Sequence, residues 1–476
     1  MTAPQHGPEG ARVRLAILGV VAVSLFAAMF ARLWFLQVMD SRVLAGRVVH
    51  NATRTVLEPA PRGLIRDRNG TPLVENHYPY VVTLSRQAAK ADPAVIDRLA
   101  ALFGMTSAEV RNKVDDPRYS PYRPVPIKDE VPLDQIVYIK EHSEDFPPEE
   151  VIADRQAERF YPNGPLASHV LGYVGEINDT ELKSLKDKGY VQGDEIGKTG
   201  VEQSYEQYLR GKPGKTVFEV DAQGNVLRTL QHEDPVQGDD VQLALDIHVQ
   251  QIAEDSLVKG LEAARSATDR TNGGKNFVAP AGAVTVLDPR DGSVIAMASQ
   301  PTYDPTSFIN GIKPDVFAAM QDPASHFPLS NRAIGGQYAP GSTFKLVTST
   351  AGLEKGVIAP NTTFPDNGVF KLGNRTYHNA LNAVFGRVPL ASALTISSDI
   401  YFYNVGALFW QQRSQFGDTG IQDVAKQYGL GVPTTIPLPG EAPGRVPTPA
   451  SRKKLHDKNP KAFPEGGWFA GDNVNL

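Results

Sequence analysis

The chain has 476 residues, too long for a single hydrophobic core, so two or three domains are expected. It is 41% hydrophobic and 21% charged, with a net charge of −5. That balance argues against a nucleic-acid binder, which needs a basic stripe to meet phosphates. The absence of cysteine removes zinc-thiolate sites, disulfides and thiol nucleophiles, and is compatible with an oxidising compartment.

The N-terminus carries the first strong signal. Leu15 to Ala31 (LAILGVVAVSLFAAMFA) has no charge, and after Arg32 the apolar character resumes through LWFLQVM to Met39. At about 1.5 Å per residue, Leu15 to Leu36 is long enough to cross a hydrocarbon core of ~30 Å. Arg32 would snorkel to one interface beside Trp34. A cleaved signal peptide is the rival, but the run is long for one and no small-x-small site follows it cleanly. Arg12 and Arg14 favour a cytoplasmic tail, with the bulk of the chain on the other side.

After the anchor, Asp67-Arg68-Asn69-Gly70 reads as a hairpin turn between two short strands. Residues 93 to 145 read as short helices and loops with proline breaks. RFYPNGPLASHVLGYVGEI (Arg159 to Ile177) is a compact Gly/Pro-punctuated segment ending in a strand. A second region opens with a strand at Val241 to Leu245 and an amphipathic helix from His248. AGAVTVLDPRDGSVIAMAS then gives two apolar strands about an Asp291-Gly292 turn. Helix followed by antiparallel hairpin is α+β grammar. The domain boundary is placed near Pro235.

Metal, P-loop and dinucleotide signatures are absent, as is a GxSxG elbow, so no cofactor is implied. What remains is Ser-x-x-Lys, a weak pattern that occurs three times: Ser256…Lys259, Ser342…Lys345 and Ser451…Lys454. Ser256 falls within an amphipathic helix and reads as a polar face. Ser451 opens the basic run SRKKLHDK and reads as solvated surface.

Ser342 differs. Pro340-Gly341 brings the chain tightly into a helix that continues through Phe344, Leu346, Val347, Ala351 and Leu353 and stops at Gly356. Apolar on most sides, that helix is expected to be buried. Burial would disfavour the charged form of Lys345, and the i, i+3 spacing would put it within reach of Ser342. On local grounds an N-cap serine beside a snorkelling lysine explains the pattern equally well. Fifty-five residues on, VPLASALTISSDIYFYNVG reads as a helix, a break at Ser397-Ser398-Asp399, and an aromatic-rich second helix. A helix C-terminus and N-cap accounts for Ser398 or Asp399 alone. It does not account for a Ser-x-Asp that follows a PGSTFK.

Ser-x-x-K, a Ser-x-Asn-type triplet and K-T-G form a known signature set. With RGLIRDRNGTPL, IGKTGVEQSYEQYLRGKPG, GAVTVLDPRDGSVIAMASQPTYDP, NRAIGGQYAPGSTFK, SSDIYFYNVG and YGLGVPTTIPLPGE, the chain resembles class B penicillin-binding proteins of the elongation branch, penicillin-binding protein 2. Many relatives carry Asn where this chain has Asp399. The resemblance implies a transmembrane anchor (12–39, after a tail 1–11), an elongated non-catalytic pedestal (40–235) and a serine transpeptidase/β-lactamase-like α/β domain (236–476). Lys198-Thr199-Gly200 is then a decoy in the pedestal, because the family's active-site KTG follows the Ser-x-Asp motif. That later KTG does not appear before Leu476, so the transpeptidase domain is expected to be incomplete.

The resemblance further implies that Ser342 is the acyl-accepting nucleophile, that Lys345 takes its proton, that Ser397 relays a proton to the leaving amine, and that Asp399 orients Lys345 and substrate. Substrates would be peptidoglycan stem peptides ending in D-Ala-D-Ala, with β-lactams acylating Ser342 as mimics. The protein would sit in the cytoplasmic membrane through residues 15–36, catalytic domain outside, paired with a membrane glycan polymerase. Without the KTG strand, which supplies one oxyanion donor, residues 1–476 alone are expected to acylate poorly or not at all. Three alternatives are a non-catalytic scaffold in which residues 12–235 regulate such a polymerase, a β-lactam sensor or β-lactamase, and a bifunctional synthase. The pedestal argues against the sensor or β-lactamase, and the short N-terminal region against the synthase.

Overall fold

The computed structural model describes residues 9–35, 53–116, 119, 124–148, 151–155, 157–220, 226–270 and 273–474. The helix Glu9–Trp34 contains a 21-residue apolar stretch, Arg14–Trp34, long enough to span a bilayer, and none of that stretch is buried. Residues 1–8 of the expected tail and 36–39 of the expected anchor lie outside the described residues.

Among the described residues four sheets build the region that follows, the smallest pairing Val174–Glu176 with Glu195–Gly197. Thr53–Glu58 pairs antiparallel with Gly214–Val220, which pairs antiparallel with Val226–Glu233. A second sheet orders Val241–Gln242, Ile65–Arg66, Pro72–His77 and Glu158–Phe160. The third places Tyr80–Leu84 between Val125–Lys128 and Val151–Arg155. Around this third sheet Val82, Leu84, Val95, Leu99, Val110, Ile127, Ile136 and Ile139 form a closed core. The helix Ala94–Phe103 faces it with Val95, Ile96, Leu99 and Ala100, a stripe at helical spacing. Gly104, at φ +64°, ends that helix, and Thr106 with Glu109 forms a capping box for the next. The strand Val125–Lys128 was not foreseen. It lies on the sheet edge, where Pro126 costs no internal ladder bond.

The Asp67–Gly70 turn forms as expected. Asp67 is fully buried and its Oδ1 accepts the N–H groups of Asn69 and Thr71, both at 2.8 Å. Those bonds hold its carboxyl below the ordinary range although burial pushes it up. The same turn reaches the next region: Arg68 N–H donates to the Leu245 carbonyl at 2.9 Å, and Asn69 Nδ2 to Asp246 at 3.1 Å. Asp246 caps the helix Ile247–Ser266. The expected strand at Val241–Leu245 is therefore only Val241–Gln242, because the chain must turn into that cap.

The helix Ile247–Ser266 lies against the antiparallel hairpin Gly282–Leu287/Val294–Gln300, burying Ala253, Leu257, Ala296 and Ala298 between them. Among the described residues Gly282–Leu287 has no strand partner on its other edge. Four further helices, Lys345–Glu354, Leu390–Thr395, Asp399–Gln411 and Gly420–Gln427, enclose Val347, Ala351, Ala393, Tyr401, Val405, Phe409, Ile421 and Val424. The helix after Ser342 is not buried on most sides. Leu346 is 60% exposed and Leu353 38% exposed, because only the Val347/Ala351 face meets neighbouring helices.

One buried ionic knot ties three distant segments. Arg62 and Arg159 both pair with Glu202 at 2.7 Å, and Arg62 also with Glu206 at 2.8 Å. Arg159 further donates to the Gly63 carbonyl and Asn76. Burial pushes the Glu202 carboxyl up, but the Arg159 and Arg62 guanidiniums reverse this and hold it below its ordinary value. A depressed carboxyl contributes stability above its unfolded value and loses it as pH falls through the folded one. Glu202→Gln is expected to cost about 3–5 kcal/mol at pH 7, since the buried Arg159 guanidinium loses its counter-charge and Arg62 is left with Glu206 alone. The gap in melting temperature between the two proteins should shrink on acidification below about pH 4. Equal melting at pH 7 would contradict the knot's role.

Candidate active site

Gly341–Phe344 forms a 3₁₀ turn that leads into the helix Lys345–Glu354, and Gly341 has φ +58°. Ser342 therefore sits on a tight turn at a helix entrance. Ser397, Ser398 and Asp399 form the expected break: the helix Leu390–Thr395 ends, Ser397 adopts φ +56°, and Ser398 caps the helix Asp399–Gln411.

The two segments meet. Ser397 Oγ donates to Ser342 Oγ at 3.0 Å. Lys345 Nζ donates to Ser397 Oγ at 3.0 Å, to the Ser397 carbonyl at 2.8 Å and to Asp399 Oδ1 at 2.5 Å. Its three N–H groups thus find three acceptors, the full complement of an ammonium. All four residues singled out from the sequence come together. The route between two of them differs from the expected one. Lys345 Nζ turns away from its own helix toward Asp399, so the hydrogen-bonded path from Ser342 to Lys345 passes through Ser397. The surroundings of Lys345 are also polar rather than apolar: its side chain is 12% exposed, packed between an ion pair and the face of Phe402 at 5.6 Å.

An aromatic group of Phe370, Tyr377 and Tyr403 stands beside Asp399, with ring centroids 5.1–6.1 Å apart. Burial, then the Asp399 carboxylate and Tyr377, push the Tyr403 phenol up. Tyr403 belongs to the aromatic-rich helix expected after the Ser-x-Asp break. Phe370, Tyr377, Asp366 and Asn379, the last two touching Ser398 and Asp399 from behind, were not marked by the sequence, because they lie on short strands and loops with no periodic signal.

The other serine–lysine pairs stand apart. Ser256 and Lys259 are both exposed on the helix Ile247–Ser266. Ser451 forms a capping box with Thr448 at the start of the helix Pro449–Lys458. Lys198-Thr199-Gly200 joins a strand to the helix Gly200–Ser204 far from Ser342 in the chain. Lys198 pairs with Glu181 at 2.5 Å. Gly200 has φ +59°, and a Cβ there would lie 2.5 Å from the Val170 carbonyl oxygen.

The sequence pattern of the penicillin-binding protein dimerisation domain matches residues 57–243, and that of the penicillin-binding protein transpeptidase domain matches residues 282–462. The peptidoglycan D,D-transpeptidase MrdA of Salmonella typhimurium (strain LT2) is 31% identical over 470 residues, covering 97% of this chain and 69% of that protein. The chain belongs to the penicillin-binding protein 2 (MrdA) family. MrdA of Acinetobacter baumannii is likewise 31% identical over 96% of this chain, which spans 63% of that relative's length. Among solved structures, penicillin-binding protein 2 from Helicobacter pylori, in a complex with MreC, aligns with a TM-score of 0.69 at 27% identity, covering 89% of this chain and 73% of that one. A component of a peptidoglycan synthase complex that coordinates polymerization and crosslinking aligns with a TM-score of 0.65 at 30% identity, covering 98% and 73%. The fold class and the family read from the sequence both stand.

Gly200→Ala is expected to destabilise the protein by roughly 1–3 kcal/mol or more, combining a left-handed non-glycine residue with a backbone clash. Lys198→Ala should cost roughly 1 kcal/mol or less, the worth of a partly exposed ion pair. Thermal melting of the two variants checks both, and the reverse order of costs would contradict this assignment.

Proposed function

We propose that this chain is the transpeptidase component of a membrane-anchored cell-wall synthase, joining peptidoglycan stem peptides through an acyl-enzyme on Ser342. The observation that carries the reading is the hydrogen-bonded series Ser342–Ser397–Lys345–Asp399. Ser342 Oγ attacks the carbonyl carbon between the two terminal D-Ala residues. Once Lys345 has given one proton to solvent, the Ser342 proton passes to Ser397 Oγ as the Ser397 proton passes to the Lys345 amine, reversing the two hydrogen-bond directions seen at rest. Collapse of the tetrahedral intermediate breaks the C–N bond, and the same two groups return a proton to the departing D-Ala amine. An amine on a neighbouring stem then attacks the ester carbonyl, forming the cross-link and freeing Ser342. Two acyl transfers of moderate barrier replace one difficult step. Asp399 holds Lys345 in line. β-Lactams enter the first half-reaction, and the ring-opened drug stays on Ser342.

On this reading the apolar stretch Arg14–Trp34 anchors the protein in the cytoplasmic membrane, with Arg14 toward the cytoplasm and the catalytic domain outside; its length and composition support the anchor. The anchor and pedestal are the natural contact with a membrane glycan polymerase. Support comes from the relative solved within a synthase complex that couples polymerization to crosslinking.

Membranes from cells expressing the gene, labelled with a fluorescent penicillin, test the reading. Ser342→Ala should abolish the band, and Lys345→Ala should slow its appearance by at least ~100-fold, the range of a lost general base. Lys198→Ala should leave labelling unchanged. Undiminished labelling of Ser342→Ala would overturn the assignment.

A further inference from the structure

We propose that Asp366 and Asn379 are positioning residues that hold Ser397 and Asp399 in their working geometry from behind. The inference rests on the acyl-transfer reading of the site and adds to it residues outside the three sequence motifs.

Asn379 is 4% exposed and faces two ways. Its Oδ1 accepts the backbone N–H of Asp399 at 2.8 Å and of Ile400 at 3.1 Å. These are among the four N–H groups that a helix start leaves unpaired. Its Nδ2 donates to both oxygens of Asp366, at 2.8 and 3.0 Å, and to the Ala383 carbonyl at 2.9 Å. Asp366 is fully buried and also accepts the Ser398 hydroxyl at 2.5 Å and the Gly368 N–H at 3.0 Å. Ser398 Oγ in turn accepts the Tyr401 N–H at 3.1 Å.

This cluster determines the orientation of both active-site groups. Next to Asn379, the Ala380 N–H donates to Asp399 Oδ2 at 3.2 Å, which leaves Oδ1 directed at Lys345. Ser398, between Ser397 and Asp399, is pinned by Asp366, so the turn through Ser397 at φ +56° cannot relax without breaking a buried bond. Backbone strain collects around the same cluster. Leu381 and Asn382 also adopt left-handed conformations, at φ 56° and 57°, inside the loop that Asn379 closes onto Ala383. Strained non-glycine residues persist where their surroundings over-determine them.

A buried carboxylate bonded only to neutral donors is an expensive way to fill a core. Its bonds converge on the turn between Ser397 and Asp399, and a positioning role explains why it is there. Misplacing a reacting group by about 1 Å can cost ~100-fold in rate.

The test uses full-length protein purified from membranes: wild type, Asn379→Ala, Ser398→Ala, Asp366→Asn, and the exchanged pair Asp366→Asn with Asn379→Asp. Three quantities are read: the acylation rate constant per folded molecule with a fluorescent penicillin, the amide hydrogen exchange of residues 397–401, and the melting temperature. Asn379→Ala should acylate about 100-fold more slowly and exchange faster at Asp399 and Ile400. Ser398→Ala, the milder change, should slow acylation roughly 10-fold. The exchanged pair should recover most of the rate lost in Asp366→Asn, because an amide again faces a carboxylate across the same gap. A merely structural role would lower the melting temperature and leave the rate per folded molecule unchanged. That result, or failure of the exchanged pair to recover, would overturn the proposal. If wild type takes no label, the acyl-transfer reading fails and the positioning role, which rests on it, fails with it; a labelled wild type whose variants keep its rate per folded molecule refutes the positioning role alone.

Discussion

The Lys345 ammonium, set between the Ser397 carbonyl, the Ser397 hydroxyl and the Asp399 carboxylate, is the contact on which the site depends. It joins the Ser342 turn to the start of a helix more than 50 residues away. It also opposes a local cost, since a left-handed serine is disfavoured by roughly 1–2 kcal/mol. Charge-assisted bonds to the Ser397 carbonyl and to Asp399 are strong enough to hold that conformation. On the proposed acyl-transfer reading, the group that fixes the turn is also the one that exchanges protons with Ser342 through Ser397.

The site is carried by a rigid frame. The segments before and after Pro235 share one core, in which Ile65, Leu73 and Leu209 pack with Leu245, Ile247 and Met297. Polar bonds cross the same boundary. Tyr303 Oη donates to the Ser168 carbonyl at 3.0 Å, and the Ser168 and Thr302 hydroxyls meet at 2.8 Å. His169 Nε2 lies 2.7 Å from the Pro328 carbonyl. Burial pushes that imidazole down to about 4, so it is neutral at physiological pH and donates to the carbonyl as an uncharged ring. With Asp67 accepting the Ile247 N–H and the Glu202 knot locking the segments beneath, a displacement of the pedestal must be felt by the helix Ile247–Ser266 and the hairpin it covers.

What could be read from the sequence follows from how local each signal is. Ser342 with Lys345, and Ser397 with Asp399, stand out because each pair lies within one turn of chain and interrupts apolar helices. The Asp67–Gly70 turn and the Asp291-Gly292 hairpin are legible for the same reason. Lys198-Thr199-Gly200 could be dismissed only by its order along the chain, and the close approach at Gly200 gives it a structural explanation. The exposure of Leu346 was misjudged because an apolar helix does not announce which of its faces a neighbour will cover. Asp366, at the end of the strand Thr363–Asp366, and Asn379, on a loop 13 residues later, had no signature at all. The same holds for Glu202, which finds Arg62 and Arg159 across 140 and 43 residues. Buried polar pairs of this kind are products of tertiary structure, and no periodicity encodes them.

The most direct test of the central claim is mass-spectrometric mapping of the covalent adduct that a penicillin leaves on protein isolated from membranes. The account predicts one adduct, carried by the fragment that contains Ser342. An adduct on the fragment carrying Ser256 or Ser451, or no adduct on folded protein that carries the family's KTG strand, would contradict it.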